Sequence, residues 1–365
     1  MKVLHVYTRL NVGGPSRIAL DTIPWLEKHG IHNLVVFGDC PEWEESLEKE
    51  AEYKHIQLKK IPELGKGQKA TQKAFVQVLN TIKEFKPDIV HTNMAKAGML
   101  GRIAAKIAGV KNIIHTFHGH VFYGYFGSFY SFLIKKAERF LASFSNVVVA
   151  VSPRIEKELL HFDIVPKEKL TVIKPSIDLT KFINLEYKPN LIRPTIGWAG
   201  RLVKVKDPLL FSEIADIYKR IDQNVDFIAA GTGPMFNIIK NKGKNVQWLG
   251  YVEDMTSFYS MIDLLIITSK NEGLPVVALE ALASGVPILA VGVGGIEDVV
   301  FDKKNGRVIK TRDPNVFVKE LKNLLNNRKN LINYSSNAKQ IVKNEFDFDY
   351  WCKKLKNVYS TFCQM

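Results

Sequence analysis

The sequence predicts an α/β protein of two domains built on parallel sheets. Short apolar runs such as residues 3–7 and 264–268 alternate with helical stretches along the whole chain, as parallel strands with crossover helices require. The 365 residues are long for one hydrophobic core and comfortable for two.

In the first half, a strand over 3–7 leads into Asn11-Val12-Gly13-Gly14-Pro15-Ser16, a glycine turn, and a helix over 18–28. Backbone N–H groups at such a turn and helix start can hold an anion; a plain strand-to-helix turn explains the same residues. Asp39 ends the next strand, 34–37, where a dinucleotide-binding fold keeps its ribose acid. The fingerprint of that fold is G-x-G-x-x-G, and Gly13-Gly14-Pro15 lacks a matching third glycine, so an NAD-dependent oxidoreductase is the weaker reading. Residues 59–73 are lysine-rich, with Glu63 the one acid and Gly65 and Gly67 as breakers, and read as a solvated loop running into a helix over 70–84. A strand over 87–92, a helix over 99–108 and a strand over 113–117 follow, ending in His118-Gly119-His120. His115, His118 and His120 raise a metal site, but no Cys, Asp or Glu nearby completes one, and none is predicted. A neutral imidazole at 118 can hydrogen-bond a hydroxyl; a histidine satisfied by neighbouring backbone is the other reading.

A glycine-punctuated aromatic loop over 121–127 precedes Phe129, Phe132, Leu133, Phe140, Leu141 and Phe144, spaced by threes and fours. That spacing predicts a core helix with Lys135, Lys136 and Arg139 on its outer face; a helix lying in a bilayer interface is the alternative. A strand over 147–151 leads to Ser152-Pro153, a helix start.

In the second half, Pro189 and Pro194 punctuate an irregular stretch, placing the boundary near Tyr187, with domains 1–186 and 187–345. A strand over 195–199 runs into Gly200-Arg201-Leu202-Val203-Lys204-Val205-Lys206-Asp207-Pro208. Strands over 225–229 and 246–249 end in the turns Gly231-Thr232-Gly233-Pro234 and Gly250-Tyr251-Val252. After the strand over 264–268 comes the stretch 269–295, read as loop, helix, turn and strand. Pro275 suits a first helical position and Gly285 a stop. The helix between, 276–283, is apolar on every side apart from Glu280, so it is buried and Glu280 needs a partner that offsets its desolvation. Glu272 lies in the loop at the strand end, where ligands of open α/β sheets sit. A carboxylate accepts two hydrogen bonds side by side, which suits the paired hydroxyls of a ribose or hexose. Asp347-Phe348-Asp349 fits the metal-holding D-x-D pattern but falls away from any strand end, and reads as acids at the start of a last helix over 350–363.

Lys and Arg number 51 against 37 Asp and Glu, a net charge of +14 that favours anionic partners: nucleotides, nucleic acid or an acidic membrane surface. A nucleic-acid binder fits the charge, but no recognition motif for one is found. The three cysteines show neither a disulfide framework nor metal-ligand spacing, which points to a reducing, cytoplasmic compartment. The chain opens directly on a strand rather than a signal peptide, and no run of about 20 apolar residues predicts a membrane span.

Glu272-Gly273-Leu274-Pro275, Glu280-Ala281, Gly285-Val286-Pro287 and Gly294-Gly295 together resemble the signature of retaining glycosyltransferases of family 4. Arg201 with Lys206 five residues later is a second match, and weaker likeness extends over nearly the whole chain. The chain departs from the family pattern at Pro175-Ser176, usually Asn-Gly, and at Asp207, most commonly Gly.

The resemblance implies the GT-B fold: two facing Rossmann-like domains, with a C-terminal helix, 346–365, crossing back to the first. It implies a retaining, metal-independent transferase moving a hexose or N-acetylhexosamine from a nucleotide-sugar, a UDP-sugar, to a glycolipid or polysaccharide acceptor, lipopolysaccharide included. The alternative within the fold is a sugar-nucleotide epimerase. By the same resemblance Arg201, Lys206 and the Gly14 loop serve the donor diphosphate, Glu272 with Gly273 and Leu274 the sugar, Glu280 the ribose and Val252 the base, while His118 touches the donor sugar. No cofactor or metal is implied. The basic charge and aromatic loop add an expected peripheral contact with the anionic inner face of the plasma membrane.

Overall fold

The computed structural model describes residues 1–67, 70–119, 128–190 and 192–362, which form two compact units, 1–177 with 348–365 and 178–347. Both are built on parallel sheets. The first unit carries β1 (Lys2–Val6), β2 (His32–Phe37), β3 (Leu58–Lys60), β4 (Ile89–Asn93), β5 (Asn112–Phe117), β6 (Val147–Ala150) and β7 (Leu170–Val172), in the order β3-β2-β1-β4-β5-β6-β7. The second carries β8 (Thr195–Ala199), β9 (Asp226–Ala230), β10 (Gln247–Gly250), β11 (Leu264–Ile267), β12 (Ile288–Val291) and β13 (Gly306–Ile309), in the order β10-β9-β8-β11-β12-β13. Strand order therefore reverses between β1 and β4 and again between β8 and β11, and each reversal opens a crevice at the carboxyl ends of the strands.

The strands form where the sequence is apolar on both faces. β11, Leu-Leu-Ile-Ile, is buried at every position, and its neighbour β12 likewise. Removing one such side chain from water contributes roughly 1.5–3 kcal/mol. The helix Val276–Ala283 packs over this sheet. Pro275 stands at its N-cap, one position before the expected place, and Gly285 follows it at φ 78°, a conformation open to glycine.

Three expectations change. The crossing into the second unit falls after Ile177, ahead of the boundary that the prolines suggested, because the next residues pack on the second unit. There Phe182 meets the Tyr259 ring at 5.8 Å and Tyr187 Oη donates to Asp263 O at 2.7 Å. The lysine-rich loop is partly regular: β3 forms the sheet edge, where Lys60 pairs with Glu48 at 2.8 Å and Asp39 at 3.4 Å, and a short helix, Pro62–Gly65, follows. Charged residues suit an edge strand.

The third change is the aromatic helix, Ser128–Ser143. Phe129, Tyr130, Phe132, Leu133 and Phe140 are 46–69% exposed, so the core-helix reading fails for them. Ser131, Glu138, Leu141 and Ala142 face inward instead, and Glu138 pairs at 2.7 Å with Arg102, which is wholly buried. His120, the loop over 121–127 and Cys363 lie outside the described residues.

The last helix, Phe348–Ser360, belongs to the first unit. Trp351 Nε1 donates to Thr22 Oγ1 at 2.9 Å, and Trp25 Nε1 to Asp349 Oδ1 at 2.8 Å. Tyr359 Oη lies 2.6 Å from His91 Nδ1, whose other nitrogen meets Thr116 at 2.7 Å. Asp349 thus sits in the first turn of a helix and bonds a tryptophan.

This unit hides titratable rings. Burial pushes the His5 imidazole down to about 4, outweighing the raising effect of its Asn33 partner at 2.9 Å and of Glu27, and burial holds His91 and His115 well below the ordinary value. The folded chain keeps these rings neutral, while the unfolded chain binds protons near pH 6.5. Their contribution is therefore intact above about pH 6.5 and falls as the pH drops toward about 4, by about 3 kcal/mol for His5 alone. The thermal midpoint should decline steadily between about pH 6.5 and pH 4.5, and more shallowly in His5→Asn. A midpoint constant over that range would contradict this.

Candidate active site

All six strands of the second sheet run parallel, so the loops that follow them share one edge. After β8 the chain turns at Gly200 and carries Arg201 and Lys206. Leu202 N donates to Thr232 O at 2.8 Å, tying this loop to the turn after β9. Gly231 permits the approach: its φ is 137°, and a Cβ there would lie 1.9 Å from Gly200 O. After β11 comes Glu272. Lys206 Nζ and Glu272 Oε1 are 2.5 Å apart, with side chains 21% and 7% exposed, and Ser269 Oγ donates to the same oxygen at 2.5 Å. The two expected site residues at the reversal of strand order thus touch.

Partners from other loops fix this pair. Arg312, just past β13, donates through Nη1 to Ser269 O at 2.9 Å and through Nη2 to Asp207 Oδ2. Asp207 sits at φ 50°, which suits the glycine common there, and its carboxylate is taken by Arg312 and, at 3.5 Å, by Lys270. Thr268 Oγ1 lies 2.9 Å from the carbonyls of both Lys206 and Asp207. Past β12, Gly295 N donates to Glu272 O at 3.1 Å, and Gly294 (φ 52°) presses so close that a Cβ would lie 1.9 Å from that oxygen.

Glu280 lies one turn into the helix Val276–Ala283 and is buried. Tyr259 Oη donates to its Oε2 at 3.0 Å, and the carboxylate's charge, after burial, pushes the phenol well above its ordinary pKa. Leu274 is buried and Gly273 half-buried beside Glu272; Val252 is half-buried in the loop after β10.

On the first unit, Gly14 opens the helix Gly14–Lys28, a turn earlier than expected, so the glycine pair belongs to the helix start itself. No acid occupies its first turn and no side chain caps it among the described residues. His118 follows β5, half-buried, with Nε2 2.8 Å from Asn93 Oδ1 at the end of the neighbouring β4. Burial pushes this imidazole down to about 4, so it is neutral at pH 7. His115 is buried under the helix that carries Gly98, its Nδ1 2.9 Å from Thr92 Oγ1.

Two family descriptions match the chain: Glycosyltransferase Family 4 over residues 12–181 and Glycosyl transferases group 1 over residues 184–341. The chain belongs to glycosyltransferase family 4.

This glycosyltransferase is 28% identical, over 79% of its length and 79% of the relative's, to the UDP-Gal:alpha-D-GlcNAc-diphosphoundecaprenol alpha-1,3-galactosyltransferase of Escherichia coli. It is 27% identical, over 98% of its length and 99% of the relative's, to the Campylobacter jejuni enzyme named GalNAc-alpha-(1->4)-GalNAc-alpha-(1->3)-diNAcBac-PP-undecaprenol alpha-1,4-N-acetyl-D-galactosaminyltransferase. Its fold is that of the Anabaena protein HepE, solved in complex with UDP and glucose: TM-score 0.81 over 99% of both chains at 19% identity. That is the GT-B fold, two Rossmann-like domains.

Sequence reasoning missed Arg312, Tyr259 and Asn93 in this glycosyltransferase. A buried carboxylate at 280 signals that a donor must exist, but no local spacing points to a tyrosine on the separate short helix Met255–Met261.

Gly294→Ala should lower the unfolding midpoint of the second unit by the equivalent of about 1–3 kcal/mol, since it forces both a left-handed backbone and a clash with Glu272 O. Gly250→Ala, in the same unit and also at a left-handed φ of 72° but with nothing within 4 Å, is the control. Equal midpoints for the two variants in denaturant melts would show that the close approach is not needed.

Proposed function

We propose that this glycosyltransferase moves a hexose or N-acetylhexosamine from a UDP-sugar to a lipid-linked or polysaccharide acceptor in cell-surface glycan assembly, with retention of anomeric configuration and without a metal ion. The carrying observation is the Lys206–Glu272 pair at the strand-order reversal of the second sheet, in the loop that also carries Arg201. The named relatives support the substrate classes: one uses UDP-Gal, and both act on undecaprenol diphosphate-linked sugars. HepE was solved with UDP.

In this reading the donor exchanges partners with the pair. The diphosphate takes the Lys206 ammonium together with the Arg201 guanidinium, and Glu272, released from Lys206, turns to the sugar hydroxyls beside the Gly273-Leu274 backbone. Glu280 holds the ribose, oriented by the Tyr259 hydroxyl, and Val252 meets the base. On the first unit, neutral His118 offers a nitrogen to a sugar hydroxyl while Asn93 fixes its other side, and the N–H groups at Gly14 offer an anion site. The bond from the anomeric carbon to the diphosphate oxygen breaks, and the acceptor oxygen bonds to the same face of that carbon. The acceptor's proton passes to the departing phosphate oxygen. Two fixed cations stabilise the charge gathering on that diphosphate, the role a metal ion fills elsewhere. A lipid-linked acceptor places the enzyme at the inner face of the membrane.

Arg201→Ala, Lys206→Ala and Glu272→Ala should each lower kcat/KM with a UDP-sugar about 100-fold or more in protein that still unfolds cooperatively, with Lys206→Ala melting lower than wild type because it leaves the Glu272 carboxylate buried without its cation. UDP should raise the wild-type midpoint and fail to raise that of Lys206→Ala. Near-normal turnover in all three variants would overturn the assignment, and loss of turnover on adding EDTA would overturn metal independence.

A further inference from the structure

We propose that the outward face of the helix Ser128–Ser143 is the surface on which this enzyme docks to an anionic bilayer; the inference rests on the reading of a lipid-linked acceptor. The helix is turned opposite to an ordinary surface helix. Its inward stripe holds Ser131 and Glu138 beside Leu141 and Ala142, and its outward stripe holds Phe129, Phe132, Leu133 and Phe140. An apolar stripe turned to water marks a binding surface. The other large exposed hydrophobics of the described residues stand singly along the chain, among them Tyr53, Ile107, Ile192 and Tyr350.

Charge selects the occupant. The helix has one acid, Glu138, and it is turned inward onto Arg102. Lys136 stands in the outward stripe, four residues from Phe132 and four from Phe140, with Nζ 5.6 Å from the Phe132 ring centre. Lys135 lies on the flank, 4.5 Å from the Phe162 ring centre. Arg139 reaches back to Asp163 at 2.7 Å, so it holds the helix down rather than adding to the face. Aromatic rings and the Lys136 ammonium on one face, with the acid confined to the other, match a surface whose polar layer is negative and whose interior is apolar. A protein partner buried against this face would have to desolvate the lysine, whereas phosphodiester headgroups meet it at their own level. At about 1.5 Å per residue the helix is roughly 24 Å long, enough to lie flat and bring several rings into the headgroup boundary together.

The test is sedimentation of the full chain with sonicated vesicles of phosphatidylcholine alone or with phosphatidylglycerol added. Wild type should bind the mixed vesicles at least tenfold more tightly than the neutral ones, and the binding should weaken with added salt. Phe132→Glu/Phe140→Glu should lose at least tenfold, and Lys136→Glu should lose the preference for phosphatidylglycerol. All three positions are exposed, so unfolding midpoints and the UDP-induced rise in midpoint should match wild type. That rise also separates the two readings: without it the donor assignment fails, whatever the vesicles show. Equal vesicle binding by wild type and the double variant would overturn the docking surface. So would a dimer in light scattering that Phe140→Glu dissociates, since a second copy would then be the occupant.

Discussion

Lys206 and Glu272 meet at 2.5 Å with little exposure, and most of the site is built to make that meeting possible. Withdrawing an ammonium and a carboxylate from water costs several kcal/mol each, and their mutual attraction offsets this only in good geometry with further hydrogen bonds. The geometry comes from the sheet. β8 and β11 are adjacent although two strands and three helices of chain separate them, so the loops that leave them run side by side. Ser269 supplies a hydrogen bond to the acid, and Arg312 holds both loops by gripping Asp207 in one and the Ser269 carbonyl in the other. A cation kept neutralised in this way is available to a more highly charged anion without first being stripped of bulk water.

Backbone contacts set the precision of that arrangement. Gly231 and Gly294 each place a main chain so near another that a methyl group would overlap a carbonyl oxygen, on Gly200 in one case and Glu272 in the other. Asp207 shows the complementary solution. Its left-handed backbone would suit glycine, yet the carboxylate in that place gives Arg312 something to hold. A departure from the family's common residue is here absorbed by a partner on another strand's loop.

The sequence made the interior of the second unit legible. β8, β12 and the helix Val276–Ala283 fall where their apolar runs and bounding Gly and Pro residues put them, because segments buried on both faces carry little competing polar signal. The three-residue edge strands β3 and β7 escaped notice, being short and half polar. Within the site, Glu272, Lys206 and Arg201 could be read from local spacing, whereas Tyr259 and Arg312 could not. These two reach the site through strand order, and nothing in a window of neighbouring residues records strand order.

The aromatic helix shows a sharper limit. Apolar residues at spacings of three and four establish that a helix has an apolar stripe, but not which way the stripe faces. The opposite stripe decides that here. Arg102 is wholly buried in the first unit and bonds the Glu138 carboxylate at 2.7 Å. Turning Glu138 outward would leave the guanidinium charged and unpaired in the interior, a cost of roughly 3–5 kcal/mol. Each residue advances the helix by about 100°, so Lys136 and Phe140, two positions either side of Glu138, stand roughly 160° away from it. Once one hidden ion pair fixes the inward face, the rings have nowhere to point except out.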